Sequence, residues 1–223
     1  MNIKPSDTVQ ETHLKSALDV ALENAQKALT SMRDKLKDEP QNLAKREREF
    51  MIRECSKLEN MSNLQMKLDQ YREQHSRMKL AERVKEAQNA GNSEKLGLHL
   101  RAAGAFRLNK HWHAHHIVCS RHPSHAAARF KLFAYLRIND PYNGCWLPTK
   151  HKYATGTIMP NAVGHSYLHT DKYADWVRRD IVSASGKSDL INKLQGIRLK
   201  LQDARNLPDI LTDKGQTDLR TVS

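Results

Sequence analysis

Between residues 14 and 78 the apolar residues recur at alternating steps of three and four, and then the pattern stops. Leu14, Leu18, Leu22, Ala25, Leu29, Met32 and Leu36 form one stripe; Met61, Leu64, Leu68, Tyr71, His75 and Met78 form another. That period places each set along one face of an α-helix. Two helices are expected, over residues 7–38 with Ser6, Asp7 or Thr8 as cap, and over residues 42–90. Asp38-Glu39-Pro40 separates them. They pair either as an antiparallel hairpin or as a coiled coil with another chain. His75, on the second stripe, reads as a tolerated polar position on the seam. Asn89-Ala90-Gly91-Asn92-Ser93 is the clearest linker.

Beyond the linker the elements are short and mixed. Residues 96–104 read as a helix, Trp112 to Cys119 as a strand, and Ser124 to Leu136 as a helix. Asn143-Gly144 is a turn running into a second strand, Cys145-Trp146-Leu147, which Pro148 stops. A loop over residues 149–164 leads to helices at Thr170 to Ser183 and Ser188 to Asn206, and the last fifteen residues look loose. The fold class is therefore α+β, in three parts: a helical region over 1–92, a mixed domain over 93–185 and a helical tail over 186–223.

Charge separates these parts. The chain carries a formal +12, yet residues 98–182 alone hold twelve Lys and Arg against four Asp and Glu. A polyanion such as nucleic acid is the natural partner for that segment, because neutralised phosphates release counterions. Cys55, Cys119 and Cys145 form no C-x-x-C pair and read as reduced thiols. No apolar run approaches the ~18 residues that span a bilayer. The N-terminus lacks the layout of a secretory signal, so export is expected to proceed without a cleaved one.

Ten of the twelve histidines lie in the same basic stretch, between His99 and His169. Imidazole supplies nitrogen ligands for a divalent cation, and its pKa of about 6.5 suits proton abstraction at neutral pH. Hydrolysis of a phosphodiester needs a deprotonated water, stabilised phosphate charge and an assisted leaving oxygen. His115, His116, Asn143, His165 and His169 provide these types in order: metal-binding imidazoles, a separate base, and an amide oxygen to fix the base's tautomer. Neighbours on a regular strand point to opposite faces, so His115 and His116 share a site only where the strand ends or bulges. Arg129, Lys131, Lys150 and Lys152 are candidate phosphate contacts. His111, His113, His122, His125 and His151 read as surface or phosphate-proximal groups.

Ala114-His115-His116-Ile117-Val118, Asn143-Gly144, Trp146-Leu147-Pro148 and His165-x-x-x-His169-Thr170 with Tyr173 resemble the AHH nucleases of the H-N-H/endonuclease VII superfamily. Leu96-Gly97 and Gly104 fit the family's lead-in. The chain departs from the proline that usually follows the doublet, having Ile117-Val118-Cys119 there. The resemblance covers roughly residues 96–182 and implies a small ββα-metal core. It implies His115, His165 and His169 as ligands of one divalent ion (Mg, Zn, Mn or Ni), His116 as general base and Asn143 as the residue orienting it. It further implies a hydrolase, an endonuclease toxin of bacteria cutting DNA rather than RNA with little sequence preference. Such a toxin is made in the bacterial cytoplasm, delivered by type VI or similar secretion and active in the target-cell cytoplasm. Its expected partners are an acidic immunity protein and a secretion chaperone or carrier, with an oligomer formed through the N-terminal helices and no membrane contact. Two other readings use the same residues: a non-catalytic, metal-stabilised nucleic-acid-binding module, and a coiled-coil adaptor driven by the first 90 residues.

Overall fold

The computed structural model describes residues 17–89, 93–154 and 159–204. Leu14, the candidate caps Ser6, Asp7 and Thr8, the linker's Ala90-Gly91-Asn92 and the tail beyond residue 204 lie outside the described residues.

Helix α1 (Ala17–Leu36) turns back onto helix α2 (Pro40–Arg77), so the two helices meet within one chain as a hairpin. The Glu39 N–H donates to Leu36 O at 2.9 Å, and Pro40 supplies a φ already suited to a first helical turn. Leu18, Ala25, Leu29, Met32 and Leu36 are half-buried, whereas Leu22 stays exposed. Arg33 of α1 pairs with Glu47 of α2 at 2.6 Å.

The expected second helix is two helices. Met78 is extended (φ −83, ψ 135), α2 stops before it and α3 (Leu80–Asn89) starts after it. The break is satisfied locally. Arg83 Nη2 donates to the carbonyls of His75 and Met78, and the Glu82 carboxylate accepts from the Lys79 N–H, as a first-turn acid does in a capping box. Met78 preserves the apolar period across the bend, which hides it from a periodicity argument. His75 is half-buried on the seam and donates from Nε2 to Phe133 O at 3.1 Å.

The mixed region runs α4 (Ser93–Ala102), β1 (Trp112–His116), α5 (Ala126–Phe133), β2 (Gly144–Pro148), α6 (Asp171–Val182) and α7 (Lys187–Gln202). The two strands pair antiparallel, with Trp112 opposite Pro148 and His116 opposite Gly144. Alternation divides their side chains between two faces. On one face Trp112, Ala114 and Trp146 pack with Leu96 and Leu100 of α4. On the other, Cys145 and Leu147 join Tyr173, Val177 and Ile181 of α6 and Leu190, Leu194 and Ile197 of α7. The protein is thus α+β, a small ββα unit flanked by helices behind a helical N-terminal region. β1 ends at His116 rather than Cys119. Among the described residues no helix is long and apolar enough to cross a membrane.

The C-terminal half of α2 docks on the segment before β2. The buried Arg137 lays its guanidinium 3.7 Å from the centre of the Tyr71 ring and donates to Tyr71 O and Gln74 Oε1. It also pairs with Glu86 at 2.8 Å, and Arg72 pairs with the buried Asp140 at 2.9 Å. Arg137→Ala leaves Glu86 without its nearest cation and is expected to lower the unfolding free energy by about 3 kcal/mol, read by chemical denaturation. That is the low end for a broken buried pair, since Lys95 still stands 3.6 Å from Glu86.

Candidate active site

β1 presents the histidine doublet at its end. His115 points from the strand toward α6 and is buried, while His116 is the last paired residue. The chain reaches α6 through a tight turn, His165–Tyr167, whose Ser166 N–H donates to Thr149 O just past β2 at 3.2 Å. His169 precedes Thr170, which caps α6 by accepting the Tyr173 N–H on its hydroxyl. The ring centres of His115 and His165 lie 5.1 Å apart, those of His165 and His169 4.9 Å, and those of His115 and His169 6.2 Å. Three of the expected ligands therefore meet in one cluster. His113, one pleat along from His115, adds a fourth ring 5.8 Å from His165.

Burial, and then the neighbouring His165 and His169, hold His115 well below the ordinary imidazole range. Burial, with His169 and His113, holds His165 down to about 4. His116 is lowered by burial, with its hydrogen bond to Asn139 working the other way. These rings are neutral at physiological pH, as a ligand or a base must be.

Asn139, not Asn143, is the amide that meets His116: His116 Nε2 and Asn139 Oδ1 are 2.9 Å apart. Asn143, expected in that place, makes other contacts. Asn143 is wholly buried and engaged with backbone. Its Oδ1 accepts from the Val118 N–H at 2.8 Å, and its Nδ2 donates to Ile138 O at 2.9 Å and Val118 O at 3.2 Å. Gly144 beyond it is extended, not the left-handed residue of a tight hairpin turn; a Cβ there would stand 2.7 Å from the Leu96 side chain. Asn139 is itself pinned from the helical side. Its N–H donates to the Tyr71 hydroxyl at 3.0 Å, and its carbonyl accepts from His99 Nδ1 at 2.7 Å.

The candidate phosphate contacts divide. Arg129 is half-buried, and its Nη1 donates to Cys119 O and His122 O, bracing the loop after β1. Lys131 is half-buried on the same helix, α5. Lys150 and Lys152 are exposed on the loop tied to the His165 turn. Among the other histidines, His111 stacks on Tyr153 at 4.2 Å and His151 meets Ala162 O at 3.3 Å. His113, read as a surface group, is exposed; neither the place of Asn139 nor the contact of Tyr173, whose hydroxyl lies 2.9 Å from His115 Nε2, is evident from the sequence. Asn139-Asp140-Pro141 looks like turn chemistry alone.

The donors fit a divalent cation. His115 Nδ1 is a buried nitrogen without a hydrogen-bond partner, on a ring whose centre lies 5.1 Å from that of His165 and 6.2 Å from that of His169. Among the described residues no three His, Cys, Asp or Glu side chains stand in place to hold an ion as they are. Ligation therefore requires ring rotation, for which the exposed His169 has room.

Two antiparallel strands and the later helix α6 bring His115 beside His165 and His169, with His116 next to Asn139, an arrangement of the ββα kind. The chain belongs to AHH, a nuclease family of the HNH/ENDO VII superfamily with conserved AHH, whose model matches residues 96–210. Nucleases of this superfamily are generally metal-dependent, and a nuclease binds nucleic acid. No curated protein and no solved structure matches the chain.

The two asparagines should separate by assay. Asn143→Ala leaves the Val118 N–H and two buried carbonyls unpaired and is expected to cost about 3 kcal/mol of stability. Asn139→Ala is expected to cost less stability and to slow cleavage by up to about a hundredfold, since it frees the ring of the base. Denaturation and a plasmid-nicking rate on both variants check this. Acid is expected to weaken the fold. Burial, then the charges of His122 and Arg129, holds His125 down to about 4. The unfolded chain protonates that ring near pH 6.5. Its contribution to stability is complete above that pH and is lost as pH falls toward 4. The denaturation midpoint should fall across this window, and less steeply in His125→Asn.

Proposed function

We propose that this nuclease is a metal-dependent endonuclease that hydrolyses phosphodiester bonds of DNA with little sequence preference. The observation that supports it most is the convergence of His115, His165 and His169 beside a separate, neutral His116 whose Nε2 faces the Asn139 amide oxygen. Because Asn139 Oδ1 can only accept, Nε2 carries the proton and His116 Nδ1 holds the free lone pair. That nitrogen takes a proton from a water, which attacks phosphorus as the bond to the leaving oxygen breaks; the leaving oxygen gains a proton from solvent. His115, His165 and His169 would hold the divalent ion, with Mg, Zn, Mn and Ni as candidates. Bound there, the ion would stabilise charge on the phosphate and the leaving oxygen. Lys150 and Lys152 border the same turn as sequence-independent phosphate contacts, and such contacts favour non-specific binding.

The biological setting proposed is that of a bacterial antagonistic toxin, made in the producing cell, delivered by type VI or similar secretion and acting in the target cytoplasm. An acidic immunity protein is the proposed partner. The α1–α2 hairpin serves delivery, chaperone or carrier docking, or oligomer formation.

Plasmid DNA and a structured RNA incubated with Mg²⁺, Mn²⁺, Zn²⁺ or Ni²⁺, or with chelator, provide the test. DNA should be cut with metal and not with chelator, and His116→Ala should lower the rate by about a hundredfold or more. DNA that stays intact under every metal while still being bound would instead mark a binding module. Faster cutting of RNA would overturn the substrate assignment alone.

A further inference from the structure

Tyr173 stands in the first turn of α6, fixed there by the Thr170 cap on its N–H. The ring is buried, and its hydroxyl reaches across to the end of β1, where it meets two groups: Ile117 O at 3.1 Å and His115 Nε2 at 2.9 Å. A phenolic hydroxyl has one proton to give and can also accept. Ile117 O is a carbonyl and can only accept, so the hydroxyl proton lies on that contact. The contact with His115 Nε2 must then run the other way, with Nε2–H donating to the phenolic oxygen. A neutral imidazole carries a single N–H, so Nδ1 of His115 is an unprotonated lone pair. This is the nitrogen that is buried and lacks any hydrogen-bond partner. The opposite tautomer would place two unprotonated acceptors, Nε2 and Ile117 O, against one hydroxyl proton, and one contact would be lost.

We propose that Tyr173 is a positioning residue that holds His115 in its Nε2–H tautomer and so leaves the Nδ1 lone pair free among His165 and His169 to ligate a divalent cation. The proposal rests on the reading of these three histidines as a metal site. It adds an assignment of the ligating atom and of the group that selects it. Ile117, the residue just past the doublet, enters through its carbonyl, while its buried side chain and its N–H on Asn143 O hold the backbone there. Metal-bound histidines commonly donate their other N–H to such a partner, which fixes the ring and its tautomer. His115 and His116 then share one tautomer through two unrelated partners, Tyr173 and Asn139. One ring offers its lone pair to an ion and the other to a proton.

The test starts on the metal-free wild-type protein, with long-range ¹H–¹⁵N correlation of the histidine rings. His115 is expected to show a protonated Nε2 and an unprotonated Nδ1. A proton found on Nδ1 overturns the proposal whether or not metal binds. Tyr173→Phe keeps the ring and removes the hydroxyl; it should lose the single-tautomer signature and bind Zn²⁺ about 10–100-fold more weakly by calorimetry. Unchanged tautomer and unchanged affinity in that variant also overturn it. If the wild-type chain shows the expected tautomer yet takes up no Zn²⁺ or Mn²⁺, the Tyr173 assignment stands and the metal-site reading falls. His165→Ala serves as the reference for loss of a direct ligand.

Discussion

The buried amide of Asn143 is the clasp on which the site depends. Three hydrogen bonds from one side chain join the chain leaving β1, at Val118, to the chain entering β2, at Ile138. With those segments joined, β1 stops at His116, and Asn139 comes to lie against the ring that the strand has just delivered. The same stretch is gripped from the helical side by Tyr71 and His99 on Asn139, by Tyr71, Gln74 and Glu86 on Arg137, and by Arg72 on Asp140. Tyr71, Arg72, Gln74 and Glu86 precede the matched family region, so the helical part of the chain contributes to the support of His116 as well as to the molecule's length.

The roles of the histidines follow from what each ring touches. Burial keeps His115, His116 and His165 neutral, which turns potential surface charge into lone pairs. What then distinguishes adjacent residues of identical chemistry is the partner on the far nitrogen. His115 meets a phenol facing the α6 side, and His116 meets an amide from the segment before β2. The opposite pointing of neighbours along a strand, which looked like an obstacle to a shared site, is what gives the doublet two distinct supports.

Much of this was legible in the sequence. The apolar steps located the hairpin helices, the order of His115, His116, His165 and His169 located the cluster, and Thr170 marked the start of α6. The break at Met78 was not legible, because an apolar residue kept the stripe in phase while Arg83 and Glu82 satisfied the broken ends. Asn139 and Asn143 have the same side chain four residues apart. Only the fold decides which amide meets an imidazole and which meets backbone. Spacing shows the charge of Arg129 but not the two loop carbonyls that its Nη1 meets. His113 read as a surface group and is exposed, and strand alternation also places its ring on the His115 side, 5.8 Å from His165.

In the proposed function, three histidines from β1 and the approach to α6 form one divalent-ion site, with His116 beside it and off the metal. A crystal structure of the protein soaked in Mn²⁺, read from the anomalous difference map, tests this most directly. One strong peak is expected, bonded to His115 Nδ1 and to the imidazoles of His165 and His169, with the His116 ring still on Asn139. A peak bonded to His116, or full Mn²⁺ occupancy elsewhere with none among these three rings, would contradict it.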